Sequence, residues 1–247
     1  VITVKTDSEI ELMRQSGVIV GDALREVEKY VRPGVSTMEL NSIVEDVIRS
    51  AGAIPSFLNY NGFPAASCIS VDDVVVHGFP SLRVLKEGEI VSIDVGAVKN
   101  GFHGDAARTF AVGKISESKQ RLIDVTKQSF FEGVKFVKEG GRLGDVSHAI
   151  QSYVNKFGFG IVREMVGHGI GKHLHEDPQV PNYGVAGTGF TLKKGYALAI
   201  EPMITLGDYH IRIDSDGWTC RTIDGSPAAH YENTVVITSK GVEILTL

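Results

Sequence analysis

Residues 90–112 read IVSIDVGAVKNGFHGDAARTFAV, two apolar runs that carry one acid each, Asp94 and Asp105, on either side of Asn100-Gly101. Asn-Gly between runs rich in Val, Ile and Phe signals a hairpin, because both residues tolerate the positive φ of a two-residue turn. With that turn Lys99 faces Phe102 and Gly96 faces Asp105, and Asp94, two residues before Gly96, lies on the same face. The two carboxylates are then diagonal neighbours, about 7–8 Å apart at the backbone. Like charges so placed repel, and a carboxylate ionised inside a strand is costly without a partner. Both stay ionised only if cations lie between them. The alternatives are that one or both point to solvent, or that Arg108 pairs with them.

The whole chain sets the context. Its 247 residues, 43% apolar and 22% charged, are ordinary for a soluble globular enzyme and long enough for one large domain or two small ones. A net charge of −5 without basic runs excludes a nucleic-acid surface, which needs clustered Lys and Arg. Cys68 and Cys220 stand far apart in no finger or redox spacing, so a reducing cytoplasm is expected. The opening VITVKTDSEIELMRQ is charged throughout, so no signal peptide is expected. No apolar stretch approaches the roughly 20 residues that span a bilayer, and no membrane partner is expected.

The chain also repeats itself. VRPGVSTMELNSIVEDVIRSAG from Val31 aligns without a gap to VKEGGRLGDVSHAIQSYVNKFG from Val137, at an offset of 106. Identities are few, but the Gly turn, the polar helix start, the apolar spacing and the closing Gly recur together. Ser36 with Glu39 forms a capping box and predicts a helix over 37–50, and Asp145 is expected to cap its counterpart. Longer amphipathic stretches, 8–30 and 118–137, precede the two copies. KEGEIVSID from Lys86 likewise meets KKGYALAIE from Lys193 at an offset of 107, which sets Asp94 against Glu201. Glu232, in HYENTVVIT, then holds a later strand of the second half as Asp105 does in the first. Helix, helix, strands in each half predicts one α+β domain built by duplication around mainly antiparallel sheet.

Four acids at strand positions balance two divalent cations in charge, whereas one cation leaves an excess. Oxygen ligands with an imidazole suit manganese, iron, cobalt or zinc. His168, between Gly167 and Gly169 in EMVGHGIGKHLHEDP, is the imidazole favoured for that role. His173 and His175 share a face of an extended segment, so one can be catalytic and the other exposed. His77, in VVVHGFP, stands where a strand emerges. His103, near Asp105, is a candidate supporting group, while His148, His210 and His230, like His103 by default, are expected to be solvated or satisfied in the core. His175-Glu176 does not continue to HExxH, and neither GxSxG, GxGxxG nor a Walker loop occurs. A dispersed Ser-His-Asp triad stays open at this point.

Taken together, VVVHGFP, SIDVGAVKNGFHGDAARTF, EMVGHGIGKHLHEDP, AIEPM and YENTVVI resemble the type I methionine aminopeptidases, in order and separation, from Ser8 to the C-terminus. The resemblance implies a duplicated α+β fold known as pita-bread, with pseudo-two-fold symmetry, a mainly antiparallel sheet and helices packed on one side. It implies a single catalytic metallopeptidase domain over 1–247, with internal halves of roughly 8–112 and 118–240. By the same resemblance Asp94, Asp105, His168, Glu201 and Glu232 are metal ligands, with Asp105 and Glu232 bridging two divalent ions. A metal-bound water or hydroxide then attacks the carbonyl after the first methionine of a nascent chain. Glu201 is general base, His175 stabilises the oxyanion and His77 binds the substrate backbone. Phe57, Tyr60, Phe63, Cys68, Leu174 and Trp218 correspond to the methionine pocket, where aromatic rings and a thiol suit a thioether. Phe57 and Leu174 depart from common family patterns. The expected setting is a cytoplasmic monomer acting on peptides and nascent polypeptides, with the ribosome as a possible partner but no docking through the zinc-binding extension of some members. Two alternatives remain at this stage. One is a proline-directed aminopeptidase of the same fold, disfavoured by Trp218 and the Tyr60/Cys68 segment. The other is a metal-free binding protein on the same scaffold, which loss of ligands would mark.

Overall fold

Thr6 accepts the amide of Glu9 while Glu9 reaches back to the amide of Thr6, and Ser36 and Glu39 do the same, so two helices begin where their capping boxes direct. In the computed structural model, which describes residues 1–247, these are α1 (Asp7–Glu28) and α2 (Thr37–Ser50). The second pair is α3 (Glu117–Val134), capped by Ser116, and α4 (Leu143–Asn155). Asp145 caps α4 from its third residue, as Glu39 does in α2, rather than from the N-cap position. The helix has begun by Leu143, whose buried side chain opens the apolar stripe, and the Asp145 carboxylate accepts the amides of the N-cap residue Arg142 and of Gly187.

The strands of the first half are β1 (Ile54–Pro55), β2 (Ser67–Val71), β3 (Val74–Val76), β4 (Ile90–Lys99) and β5 (Phe102–Ala111). The second half contributes β6 (Gly160–Ile161), β7 (Gly167–Gly169), β8 (Glu176–Val180), β9 (Ala197–Ile200) and β10 (Met203–Thr205). It continues with β11 (Ile211–Ile213), β12 (Cys220–Thr222), β13 (Ala228–His230), β14 (Glu232–Thr238) and β15 (Gly241–Ile244). A nine-stranded sheet runs β1-β4-β5-β14-β9-β7-β8, with β2 also on β4 and β15 also on β14. Two three-stranded sheets, β13-β10-β6 and β11-β12-β3, complete the set, and every pairing is antiparallel. The duplicated, antiparallel α+β reading of the sequence therefore holds.

The β4–β5 hairpin has the register that Asn100-Gly101 predicts: Lys99 pairs with Phe102 and Gly96 with Asp105, with φ of 52° and 80° at the two turn residues. Side chains alternate along a strand. Ile93, Val95, Ala97 and Ala106 pack with Leu24 of α1 and Val44 and Ile48 of α2. Leu198, Ile200, Val235 and Ile237 pack with Phe130, Val146 and Ile150 of α3 and α4. Each half so builds its own helix-on-sheet core, and the alternation turns Asp94, Gly96 and Asp105 away from the helices.

Helix α1 lies unusually close to the sheet. Ser16 donates its hydroxyl to the Phe102 carbonyl at 2.7 Å and accepts the Lys99 amide at 3.2 Å. A Cβ on the next residue, Gly17, would stand 2.2 Å from the Leu245 carbonyl oxygen. Glycine inside a helix costs about 1 kcal/mol relative to alanine, so close approach rather than helix propensity accounts for Gly17. Gly17→Ala is expected to destabilise the protein, because overpacking of about 1–3 kcal/mol outweighs the propensity gained. Urea unfolding should show a lower midpoint; an unchanged or higher midpoint would contradict this packing.

Candidate metal centre

One side chain from each of five consecutive strands of the large sheet meets at a single point. Asp94 comes from β4, Asp105 from β5, Glu232 from the start of β14, Glu201 from the residue just after β9, and His168 from β7. Register brings them together: Asp94 and Glu232 flank Ala107 from either side, and His168 and Thr234 flank Ala199. His168 Nε2 lies 3.7 Å from Asp105 Oδ2 and 3.6 Å from Glu201 Oε1. One ligand atom each from Asp105, His168 and Glu232 lie within 4.8 Å of one another, as do those of Asp94, His230 and Glu232.

The alternatives for Asp94 and Asp105 fail. Asp105 is buried and Asp94 half-buried, so neither is a solvated surface acid. Arg108 does not pair with them. It donates to the carbonyls of Ala107, Glu232 and Thr246 and to Asn233 Oδ1, with its guanidinium 4.4 Å over the Tyr231 ring.

The side chains of this protein compensate the four acids only weakly, through His230 and the more distant Arg108. Burial pushes Asp94 up to about 7, with His230 pulling back and Glu201 pushing further, and pushes Glu201 up to about 8. Asp105 is raised well above the carboxylate range by burial, then by Asp94 and Glu201. Glu232 is raised likewise by burial, then by Asp105, Glu201 and Asp94. Asp94 Oδ1, Asp105 Oδ1 and Glu232 Oε1 are buried with no hydrogen-bond partner. Divalent cations fit this set: hard oxygens with one imidazole match manganese, iron, cobalt and zinc. His168 is prepared for ligation. Its Nδ1 donates to the Gly169 carbonyl at 2.8 Å, which leaves the Nε2 lone pair facing the carboxylates, and burial holds its pKa at about 3. The flanking glycines let β7 squeeze between its neighbours, for a Cβ at Gly167 would lie 2.3 Å from the Ala199 carbonyl oxygen and one at Gly169 would lie 2.0 Å from that of Asp177.

A cavity of about 230 Å³ opens onto the cluster. Phe57, Tyr60, Phe63, Cys68, Leu174 and Trp218, singled out from the sequence, all line it, joined by Val76, Met165 and Met203, which were not. Met165 and Met203 stand inside EMVGHG and AIEPM, so the motifs contained them, but chain order does not reveal that they meet across the cavity. Cys68 pairs directly with Asp94 across β2 and β4, which makes the apolar wall continuous with the acids.

The histidines sort themselves by geometry. His77, at a φ of 61° just after β3, has its ring 6.2 Å from Trp218, and burial pulls it down to about 4, followed by His230 and His175. His175 stands at the cavity rim, its Nδ1 2.8 Å from the Tyr60 hydroxyl and its ring 4.3 Å from His168; packing there lowers its pKa. His173 is exposed, as is His175 at the rim, so exposure does not separate that pair; His148 and His210 are exposed as well. Two expectations need correction. His103 does not support the cluster, because its Nδ1 turns to the Ser56 hydroxyl at 2.8 Å. His230 is neither solvated nor satisfied in the core: it is 1% exposed, and its Nε2 lies 3.3 Å from Glu201 Oε2 and 3.6 Å from Glu232 Oε2. Its place two residues before Glu232 was the available signal.

Comparison with known proteins agrees with this geometry. The model of metallopeptidase family M24 matches residues 11–239. A methionine aminopeptidase from Clostridium acetobutylicum is 57% identical over 100% of this chain and 99% of its own length. The crystal structure of methionine aminopeptidase from Thermotoga maritima superposes with a TM-score of 0.98 at 48% identity, covering 100% of this chain and 99% of that one. Prolidase from Pyrococcus furiosus shares the fold alone, with a TM-score of 0.81 at 24% identity over 99% of this chain and 65% of that one. The chain belongs to metallopeptidase family M24 and, within it, to the methionine aminopeptidases.

Proposed function

We propose that Asp94, Asp105, His168, Glu201 and Glu232 would hold two divalent metal ions, and that the chain uses this centre to remove N-terminal methionine from peptides and nascent proteins. The observation that carries this reading is the gathering of four carboxylates in one cavity, three of them with a buried oxygen that has no partner, beside His168, whose free Nε2 lone pair lies 3.7 and 3.6 Å from Asp105 and Glu201. Bound there, such ions supply Lewis acidity for the scissile carbonyl and lower the pKa of water toward neutrality.

The remaining work falls to the chain. Glu201, its carboxylate at the centre, takes the proton of the attacking water and passes it to the leaving amine. The Tyr60 hydroxyl fixes one ring nitrogen of His175, which leaves Nε2 free to hydrogen-bond the oxyanion at the rim. Burial keeps His77 neutral, suited to hydrogen-bonding the substrate backbone beside the scissile amide. Phe57, Tyr60, Phe63, Cys68, Leu174 and Trp218 receive the methionine side chain, with Met165 and Met203 adding soft contacts. At about 230 Å³ the cavity takes one terminal side chain, and the acids beside it favour a free α-amino group, which an internal residue lacks.

Because both halves supply ligands, residues 1–247 act as one catalytic domain, with halves of roughly 8–112 and 118–240. No helix is long and apolar enough to cross a membrane. We place the reaction in the cytoplasm, on chains leaving the ribosome, and the enzyme as a monomer with manganese, iron, cobalt or zinc.

A Met-Ala-Ser peptide offered beside an Xaa-Pro peptide separates the two aminopeptidase readings. Release of free methionine from the first alone is expected, and preferential cleavage of the Xaa-Pro bond would overturn the assignment. Stability provides a check independent of turnover. Asp94 at about 7 and Glu201 at about 8 hold protons that the unfolded chain has already released; the buried histidines, neutral when folded, act the other way until about pH 6.5, so protein stripped of metal by chelation should lose stability as pH rises from 7 to 9. Manganese should restore it, and more at pH 8 than at pH 5. A melting temperature that rises over this pH range without metal, or does not respond to manganese, would contradict the buried-acid account.

A further inference from the structure

His230 is a titratable side chain of the cluster that the proposed ligand set leaves without a task. Its backbone is firmly held: its amide donates to Thr109 Oγ1 at 2.9 Å, its carbonyl accepts from the same hydroxyl at 2.8 Å, and it pairs with Met203. Its Nε2 is buried with no hydrogen-bond partner. The atoms that face this nitrogen are Oε2 of Glu201 and Oε2 of Glu232, at 3.3 and 3.6 Å. The other oxygens point elsewhere. Glu201 Oε1 lies 3.6 Å from His168 Nε2, and Glu232 Oε1 is unpartnered. In both glutamates, then, one oxygen meets His230 and the other is left for an ion.

We propose that His230 is a positioning residue of the metal centre, donating Nε2–H to the Oε2 atoms of Glu201 and Glu232 and thereby aiming their remaining oxygens at the ions. A small turn of ring or carboxylate brings 3.3 Å to full hydrogen-bond length. The donor exists in the Nε2–H tautomer and in the doubly protonated ring alike, so the role needs no particular charge state. The inference rests on the metal reading above and deepens it.

The test is calorimetric titration of the purified full chain with manganese(II), comparing wild type, His230→Gln, which keeps an N–H donor, and His230→Leu, which does not. Loss of a hydrogen bond that orients a metal ligand costs about 10–100-fold in metal affinity, and the leucine variant should fall in that range while the glutamine variant stays near wild type. Leucine binding as tightly as wild type, or glutamine binding as weakly as leucine, would overturn the role. A second measurement covers the case in which the leucine variant does not fold. In ¹⁵N-histidine-labelled wild type loaded with zinc(II), His230 Nε2 should carry a proton, and an unprotonated Nε2 bound to metal would make it a ligand and defeat the proposal. Failure of wild type to bind manganese overturns the metal reading itself, whereas equal binding by wild type and the leucine variant overturns this inference alone.

Discussion

Mutual repulsion among Asp94, Asp105, Glu201 and Glu232 is the constraint around which the rest of the molecule is arranged. Each acid is taken out of bulk water by a strand that must also build a core, and no Lys or Arg forms an ion pair with any of their carboxylates. Arg108, the nearest guanidinium along the chain, is engaged with backbone carbonyls instead. Packing against α1 to α4 on the other face of the sheet holds the acids together despite this cost, and divalent ions offset it. The same frustration that taxes stability is what prepares the site for metal.

Duplication explains how a single chain gathers such a set. The seam between halves is the β5–β14 pairing, and on either side of it stand β4 and β9, so Asp94 with Asp105 and Glu201 with Glu232 form two related pairs facing each other across the seam. Neither half alone holds more than two of the four acids. His168, on β7, comes from the second half only, and the first half answers with the cavity wall at Cys68, which pairs with Asp94. Symmetry therefore accounts for the carboxylates, and departure from symmetry for the imidazole and the cavity wall.

Much of this was legible before the structure. Asn100-Gly101 set the hairpin register, the capping boxes set the helix starts, and the offset of about one half-chain set Glu201 against Asp94, all because these features depend on local backbone preferences and on period. What escaped were features that depend on three-dimensional closure. Asp145 caps α4 from the third helical residue, but its second bond, from the distant Gly187 amide, is not recognisable from the sequence. His103 shares a strand with Asp105, and only the position of Ser56 reveals where its ring turns. His230 sits on a short strand in a different sheet from the acids it faces, and its place two residues before Glu232 was the one hint of that contact.

The central claim is that acids from both halves share two ions. Diffraction from crystals grown with manganese(II), with anomalous data collected near the manganese edge, tests it most directly. The account predicts two anomalous peaks about 3.5–4 Å apart among Asp94, Asp105, His168, Glu201 and Glu232. Absence of any peak among these residues, or a lone peak held by one half of the chain, would contradict it.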